Sequence, residues 1–379
     1  MEKKLKYSWA PILILILFYA AFLGFKLHQN NFDLSSFIVL GDNFVNSENP
    51  PGGVTILTNS YGYDGQFYYR LALNPFTNKQ TDYGITLDQP ALRQQRILYP
   101  LLAWLISLGN PNVAPLTMII VNIASFFGLI CLAIKLTKDN NQPLWLSIIL
   151  PLYPAFLITL SRDLTELLSS FLLILGYLLF NKNKYYFSTI IFTLAALTRE
   201  TTLIFPTIVS LYFFVLFSIN KKKIELFKAL LFSLPLLIYI AWQIILYKIW
   251  GQFPFLLSNS LNITYPLKGL DYLFYFKTFA TKLRVLEVIY LLGVIIFGAI
   301  NFKKVSEWPI KLTWLSYVIL AFFYADLIWG EDWTFYRAFT ELYIFSFILV
   351  IKGDNYCIKK VLFFSTIVMA GIMLLKIIL

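Results

Sequence analysis

The chain has 379 residues, of which 59% are hydrophobic and 13% charged, with a formal charge of +11. A typical soluble domain carries about 25% charged residues, and a soluble fold of this size does not bury so much apolar surface. A soluble enzyme, a disordered chain, a collagen-like repeat and a disulfide scaffold are excluded, and no clustered basic face supports a nucleic-acid partner.

Taken in chain order, apolar runs of about 20 residues recur along nearly the whole sequence, which predicts an all-α, polytopic transmembrane bundle forming one domain over 1–379. The first run, Trp9 to Leu27, follows Lys3, Lys4 and Lys6 and lacks a small-residue cleavage site, so it is expected to be an uncleaved anchor helix. A long polar loop follows over 28–112, with Pro50-Pro51-Gly52-Gly53 within it. Near its end, Ile97 to Leu108 is apolar but covers only about 18 Å at 1.5 Å per residue, so it reads as an interfacial or re-entrant helix. Further crossings are expected over 113–135, 143–160, 164–180, 185–198, 201–219, 227–250, 284–300, 309–328, 338–351 and 361–379, about eleven in all with the first. Cys131 lies in an apolar run and Cys357 in a distant charged loop, which argues against a disulfide.

With the N-terminus in the cytoplasm, the inner loops collect 17 lysines and five carboxylates, whereas the outer face and the outer ends of the spans hold 14 basic residues and 15 carboxylates. All seven arginines (Arg70, Arg93, Arg96, Arg162, Arg199, Arg284 and Arg337) fall on the outer side. Lysines therefore mark topology, and arginines and carboxylates gather where a membrane enzyme would keep its chemistry.

Five constellations on that side are candidates. Tyr61-Gly62-Tyr63-Asp64-Gly65-Gln66-Phe67-Tyr68 sits within the long polar loop, ahead of Pro75. Asp64 is either a helix N-cap or a base or metal ligand whose pKa an apolar helix would raise. Arg93-Gln94-Gln95-Arg96 enters the short apolar helix and suits a lipid phosphate, or snorkels to the headgroups. In Ser161-Arg162-Asp163-Leu164-Thr165-Glu166 the two acids share a helical face or form a capping-box variant. Thr198-Arg199-Glu200-Thr201 is a tight turn whose charges are functional or close the hairpin as a local ion pair. Glu331-Asp332-Trp333-Thr334-Phe335-Tyr336-Arg337 would line a sugar site or form a solvated loop. His28 is the sole histidine, and no zinc cluster, P-loop, Rossmann glycine pattern or nucleophile elbow is present.

Four of these segments, in order, resemble the GT-C glycosyltransferases, specifically the GPI mannosyltransferase II-like branch and its bacterial relatives. Tyr63-Asp64-Gly65-Gln66-Phe67-Tyr68 looks like the branch's aspartate motif, and Leu98-Tyr99-Pro100-Leu101-Leu102 is similar to its FPLYPLL helix. Ser161 to Glu166 sits at its short Ser/Glu motif, and Leu197-Thr198-Arg199-Glu200-Thr201 resembles its Leu-Thr-Arg-Pro-Thr segment, with Glu200 in place of proline. The likeness spans roughly residues 1–219. It implies a membrane enzyme moving a hexose from a polyprenyl-phosphate sugar to a glycan, glycolipid or protein acceptor, at the outer face of a bacterial cytoplasmic membrane. Asp64 would be catalytic. Arg93, Arg96, Arg162, Arg199 and Arg337 would hold the donor phosphate. Gln66, Tyr68, Asp163, Glu166, Glu200, Glu331 and Asp332 would bind or orient sugar and acceptor. Use of a divalent cation, Mg or Mn, stays open because GT-C families differ on it. A lipid-linked glycan flippase or transporter, and a glycan polymerase or ligase, are the alternatives.

Overall fold

The computed structural model describes residues 9–274 and 279–378; Lys3, Lys4 and Lys6, and the last residue of the final predicted run, lie outside the described residues. The protein is all-α, with 74% of it helical. After α1 (Ala10–Gln29), the polar loop holds α2 (Gly65–Leu73) and α3 (Pro90–Gln94), and then come α4 (Leu98–Ser107) and α5 (Ala114–Asp139). α6 (Pro154–Arg162), α7 (Glu166–Asn181), α8 (Tyr185–Thr198), α9 (Ile204–Asn220), α10 (Lys223–Trp250) and α11 (Pro254–Asn262) follow. The chain closes with α12 (Phe279–Phe302), α13 (Trp308–Phe322), α14 (Asp326–Gly330), α15 (Asp332–Ala338), α16 (Thr340–Lys352) and α17 (Tyr356–Ile378). Two short strand pairs brace the polar loop: β1 (Leu40–Gly41) runs parallel to β2 (Ile56–Leu57), and β3 (Thr81–Asp82) antiparallel to β4 (Ile85–Thr86).

Among the described residues, six helical segments are long and apolar enough to cross a membrane: Ala10–Gln29, Ala114–Asp139, Glu200–Asn220, Lys223–Trp250, Leu283–Phe302 and Tyr356–Ile378. The pair α15 and α16, bent by 47°, makes a seventh if it is one span. This is a multi-pass membrane protein by length and composition. The other four expected crossings fall on shorter elements. Three are single apolar helices, α7, α8 and α13. The fourth, expected over 143–160, is a 3-10 turn (Leu144–Ile148) followed by the nine-residue α6. Pro151 and Pro154 break it, because proline supplies no N–H and clashes with the preceding turn. The short apolar segment near 97–108 is the ten-residue α4, as expected for a helix too short to cross. Cys131 and Cys357 are both free.

Breaks in an apolar bundle expose backbone carbonyls, each costing several kcal/mol in hydrocarbon when unpaired. Tyrosines answer them here. Tyr19 Oη donates to the Pro151 carbonyl (2.6 Å) and Tyr343 Oη to that of Ile149 (2.8 Å). At the α15–α16 bend, Tyr153 Oη donates to the Tyr336 carbonyl (2.9 Å), Arg199 Nη2 to Arg337 (2.7 Å) and Tyr324 Oη to Ala338 (3.2 Å). The Tyr153 and Tyr343 rings stack at 4.1 Å, joining the two breaks in one core.

α7 sets the long dimension. Its first residue, Glu166, lines one cavity and its last, Asn181, lines another, and its 16 residues span about 24 Å. The second cavity, about 440 Å³, draws together Asp139, Asn140, Lys182, Asn183, Glu307 and Lys352, all from loops expected on the lysine-rich face. In a background of Cys131→Ala and Cys357→Ala, Asn183→Cys and Thr81→Cys are expected to react with a membrane-impermeant maleimide from opposite sides of the bilayer; labelling of both from one side would overturn this arrangement.

Candidate functional site

The first cavity, about 640 Å³, opens at the other end of the bundle. Ten of the thirteen residues singled out above line it: Asp64, Gln66, Tyr68, Arg93, Arg96, Glu166, Arg199, Glu200, Glu331 and Arg337. Its remaining wall is largely apolar, with Leu203, Ile204, Tyr239, Phe255, Leu320 and Tyr324 among the residues.

Asp64 occupies the N-cap position of α2, but its side chain caps no backbone N–H. Both carboxylate oxygens face guanidinium groups. Arg93 Nη1 donates to Oδ1 (2.7 Å) and Arg337 Nη2 to Oδ2 (2.9 Å). The sequence led to an expectation of a raised pKa, and the structure reverses it. Burial pushes the carboxyl upward, but Arg93, Arg337 and Arg96 more than offset this and hold it well below the usual carboxylate range. The stabilisation that accompanies this depressed pKa is complete above the unfolded value of about 3.9 and is lost only as pH falls through the folded one. In this resting geometry Asp64 stays ionised from pH 5 to 8.

The two guanidinium groups are themselves anchored. Arg93 grips Asp88 with Nε (2.8 Å) and Nη2 (2.7 Å) and lies 4.3 Å over the Phe67 ring. Arg337 gives Nε to Glu166 Oε1 (2.7 Å) and Nη1 to Tyr63 Oη (2.8 Å). Glu166 Oε1 also accepts from Arg199 Nη1 (3.1 Å), and Arg199 Nε stands 3.2 Å from Glu341. An alternating chain results: Asp88, Arg93, Asp64, Arg337, Glu166, Arg199, Glu341. Beside it, Arg96 holds Glu200 by two bonds, 3.0 and 2.6 Å, and its Nη1 reaches Tyr68 Oη at 3.4 Å.

Gly65 explains how Asp64 reaches this place. A Cβ there would collide with the Arg162 carbonyl and sit 2.8 Å from the Ile38 carbonyl, so only glycine lets α2 seat against the 162–163 turn.

Several expectations are corrected. Arg199 and Glu200 do not pair with each other; Arg199 reaches Glu166 on α7 and Glu341 on α16, and Glu200 reaches Arg96 in the turn between α3 and α4. Asp163 and Glu166 form no capping box. Asp163 is the left-handed C-cap of α6 (φ 47°), and Thr165 is the N-cap of α7. Asp163 is fully buried, does not line the cavity and lies among Lys26, Asn122 and Tyr99. Burial outweighs the Lys26 ammonium and pushes its carboxyl up to about 8. Arg162 does not line the cavity either. Its guanidinium stacks 3.9 Å over Trp333 and 5.3 Å from Tyr63, and it makes no ion pair among the described residues. Asp332 faces away, bound by Arg284 and by Lys376 (3.0 Å), which both also hold Glu287. Gln66 lines the cavity, yet its amide is committed to backbone, accepting from Gly41 N–H (3.1 Å) and donating to the Tyr61 carbonyl (2.9 Å). Glu331 lines the cavity and accepts from the Thr334 hydroxyl.

Asp88, Tyr63 and Glu341 belong to the site and were not assigned from sequence. Asp88 lies five residues before Arg93, just ahead of α3, and Glu341 four residues after Arg337, but Glu341 pairs with Arg199, so nearness in sequence marked the neighbourhood and not the partner. As for a divalent cation, no group of three or more His, Cys, Asp or Glu side chains among the described residues is placed to hold one. The two Asp64 oxygens are already taken by arginines, so the donor set does not fit a metal.

No family model matches the chain, and neither does any curated protein or solved structure.

Two outcomes follow from the buried charges. Glu166→Gln leaves two guanidinium groups short of a carboxylate and is expected to cost about 3–5 kcal/mol, read as a fall in thermal midpoint. Asp163 behaves oppositely to Asp64: its folded pKa lies above the unfolded value of about 3.9, so its ionisation weakens the fold as pH rises toward about 8. Asp163→Asn should therefore be tolerated at pH 7 and flatten the loss of thermal stability between pH 5 and 8; an unchanged pH slope would remove this role.

Proposed function

We propose that this chain is an integral-membrane glycosyltransferase of GT-C type, which moves a hexose from a polyprenyl-phosphate sugar to a glycan, glycolipid or protein acceptor. The observation that carries the reading is one cavity whose charged wall, with Asp64 and four arginines, meets an apolar wall of Leu203, Ile204, Phe255 and Leu320. A lipid-linked anionic donor has that division of character: a phosphate and sugar for the polar wall and a prenyl chain for the apolar one. The short motifs shared with the GT-C branch add to it.

On this reading Arg337, Arg93 and Arg96 hold and neutralise the phosphoryl group and stabilise the charge that grows on it as the sugar departs. Asp64 accepts the proton of the acceptor hydroxyl as that oxygen attacks the anomeric carbon on the face opposite the phosphate, with inversion. Glu200 and Glu331 are left to meet sugar hydroxyls. Arg162 is a support, packed behind Tyr63 and Trp333. Glu166, Asp88 and Glu341 orient the arginines.

The orientation belongs to the same proposal. With the lysine loops in the cytoplasm, the cavity faces outward, at the surface of a bacterial cytoplasmic membrane. The shorter apolar helices α7, α8 and α13 and the broken segment over 143–162 then complete about eleven passes. A transporter would place its charged site midway along its helices; Glu166 lies at the end of α7, which favours the enzyme.

The test is sugar transfer from prenyl-phosphate hexoses by the purified protein and by Asp64→Asn. Turnover is expected to fall about 10²–10⁴-fold in the variant, with the thermal midpoint largely kept. Equal turnover by the two proteins removes Asp64 from the role of base.

A further inference from the structure

Asp64 is poorly suited to remove a proton while two guanidinium groups cover both its oxygens. The two contacts are unequal. Arg93 is fixed from behind by two bonds to Asp88 and by the Phe67 ring. Arg337 makes one bond to each of three partners, Glu166, Tyr63 and Asp64. It lies on the seven-residue α15, next to the 47° bend at which α16 begins. The cavity lining carries five carboxylates (Asp64, Asp88, Glu166, Glu200 and Glu331) against four arginines (Arg93, Arg96, Arg199 and Arg337), so it offers an incoming anion no spare positive charge. An incoming anion therefore competes with a carboxylate for a guanidinium.

We propose that the Arg337–Asp64 ion pair is a placeholder for the donor phosphate: a phosphoryl oxygen replaces Asp64 Oδ2 on Arg337 Nη2, and the released carboxylate becomes the acceptor-facing base. This rests on reading the cavity as a site for a phosphorylated lipid. It adds an order of events, because the acceptor hydroxyl meets a competent Asp64 only after the donor is in place. Before the exchange, Asp64 meets Arg93 and Arg96 from the 88–96 segment, Arg337 from the 331–338 segment and the neighbouring Tyr63, while Asp88, Glu166 and Glu331 line the same cavity, the first two bound to Arg93 and Arg337. After it, Arg93 alone holds the carboxylate directly, and burial then favours its protonation more strongly.

The exchange predicts an affinity change in an unusual direction. Asp64 competes with the phosphate for Arg337, so removing its charge should strengthen donor binding even as it abolishes transfer. The experiment is calorimetric titration of the full chain in lipid nanodiscs with a farnesyl methyl phosphodiester, a probe with one fixed negative charge. Asp64→Asn should bind it about tenfold more tightly than wild type, and Arg337→Gln about tenfold more weakly. At pH 5, comparison of buffers with different ionisation enthalpies should show wild type taking up about 0.1–0.5 proton per probe bound, as expected for a carboxyl returned to the ordinary range or somewhat above it. That uptake should be absent in Asp64→Asn and reduced in Arg337→Gln. Binding that is equal or weaker in Asp64→Asn, or an uptake unchanged in that variant, overturns the exchange and leaves the site reading standing. If Asp64→Asn does not fold, an Arg337→Gln uptake equal to wild type overturns it instead. Failure of wild type to bind the probe at all overturns the site reading and the exchange with it.

Discussion

The alternation of carboxylate and guanidinium from Asp88 through Asp64 and Glu166 to Glu341 is the constraint around which the cavity end of the molecule is built. Each of these groups is costly to bring out of water by itself, and removing one partner of such a pair leaves a buried charge behind. Joined in series, the seven side chains tie together six stretches of chain: the polar loop at 64 and at 88–93, α7 at Glu166, the Arg199 turn, α15 at Arg337 and α16 at Glu341. Sequence separations of up to 273 residues are bridged by single hydrogen bonds. Helices in hydrocarbon gain little from hydrophobic association, because lipid tails are as apolar as leucine. A polar chain of this kind therefore does much to specify how the helices meet at this end, and the cavity shape follows from it.

The same chain explains why the backbone is irregular where it is. The extended Arg199 (φ −157°, ψ 123°) ends α8 and sends its side chain into the network, and the bend after Ala338 brings Arg337 and Glu341 to the same cluster. Bends release carbonyls, and those of Tyr336, Arg337 and Ala338 are taken up by Tyr153, Arg199 and Tyr324. Arg199 thus serves two purposes, neutralising Glu166 and capping the break that positions Arg337. The abundance of tyrosine, 24 residues, has a structural use here beyond the membrane interface: a ring packs in the apolar core and a hydroxyl satisfies a broken helix.

What could be read from the sequence divides along physical lines. Segregation of arginine and carboxylate from lysine is a one-dimensional property set by insertion into the bilayer, so it located the segments that converge, from Tyr61-Gly62-Tyr63-Asp64 to Glu331-Asp332. Pairing is three-dimensional. Nothing local tells Arg199 to choose Glu166 and Glu341 over the adjacent Glu200, or tells Asp332 to turn toward Arg284 and Lys376. The expected rise in the pKa of Asp64 reversed for the same reason, since burial was foreseeable and its two arginine partners were not. Span length failed where proline intervened: an apolar window registers hydrophobicity and ignores the break that Pro151 and Pro154 impose.

The balance of charge in the cavity bears on mechanism more than any single residue does. A site with free arginines would bind phosphate strongly and indiscriminately, including the phosphates of ordinary membrane lipids that surround it. A site in which every lining arginine already has a carboxylate binds an anion only to the extent that it outcompetes that carboxylate, so the rest of the ligand must supply the difference. On the proposed reading, Leu203, Ile204 and Phe255 on one wall would supply it through an apolar chain, and Glu200 and Glu331 on the other through hydroxyls. Binding energy from the non-reacting parts of the substrate would then drive the separation of Arg337 from Asp64, and the base would be uncovered only by a molecule carrying all three parts. Selectivity and activation would thus come from one exchange, which the arginines that keep Asp64 weakly basic at rest make necessary.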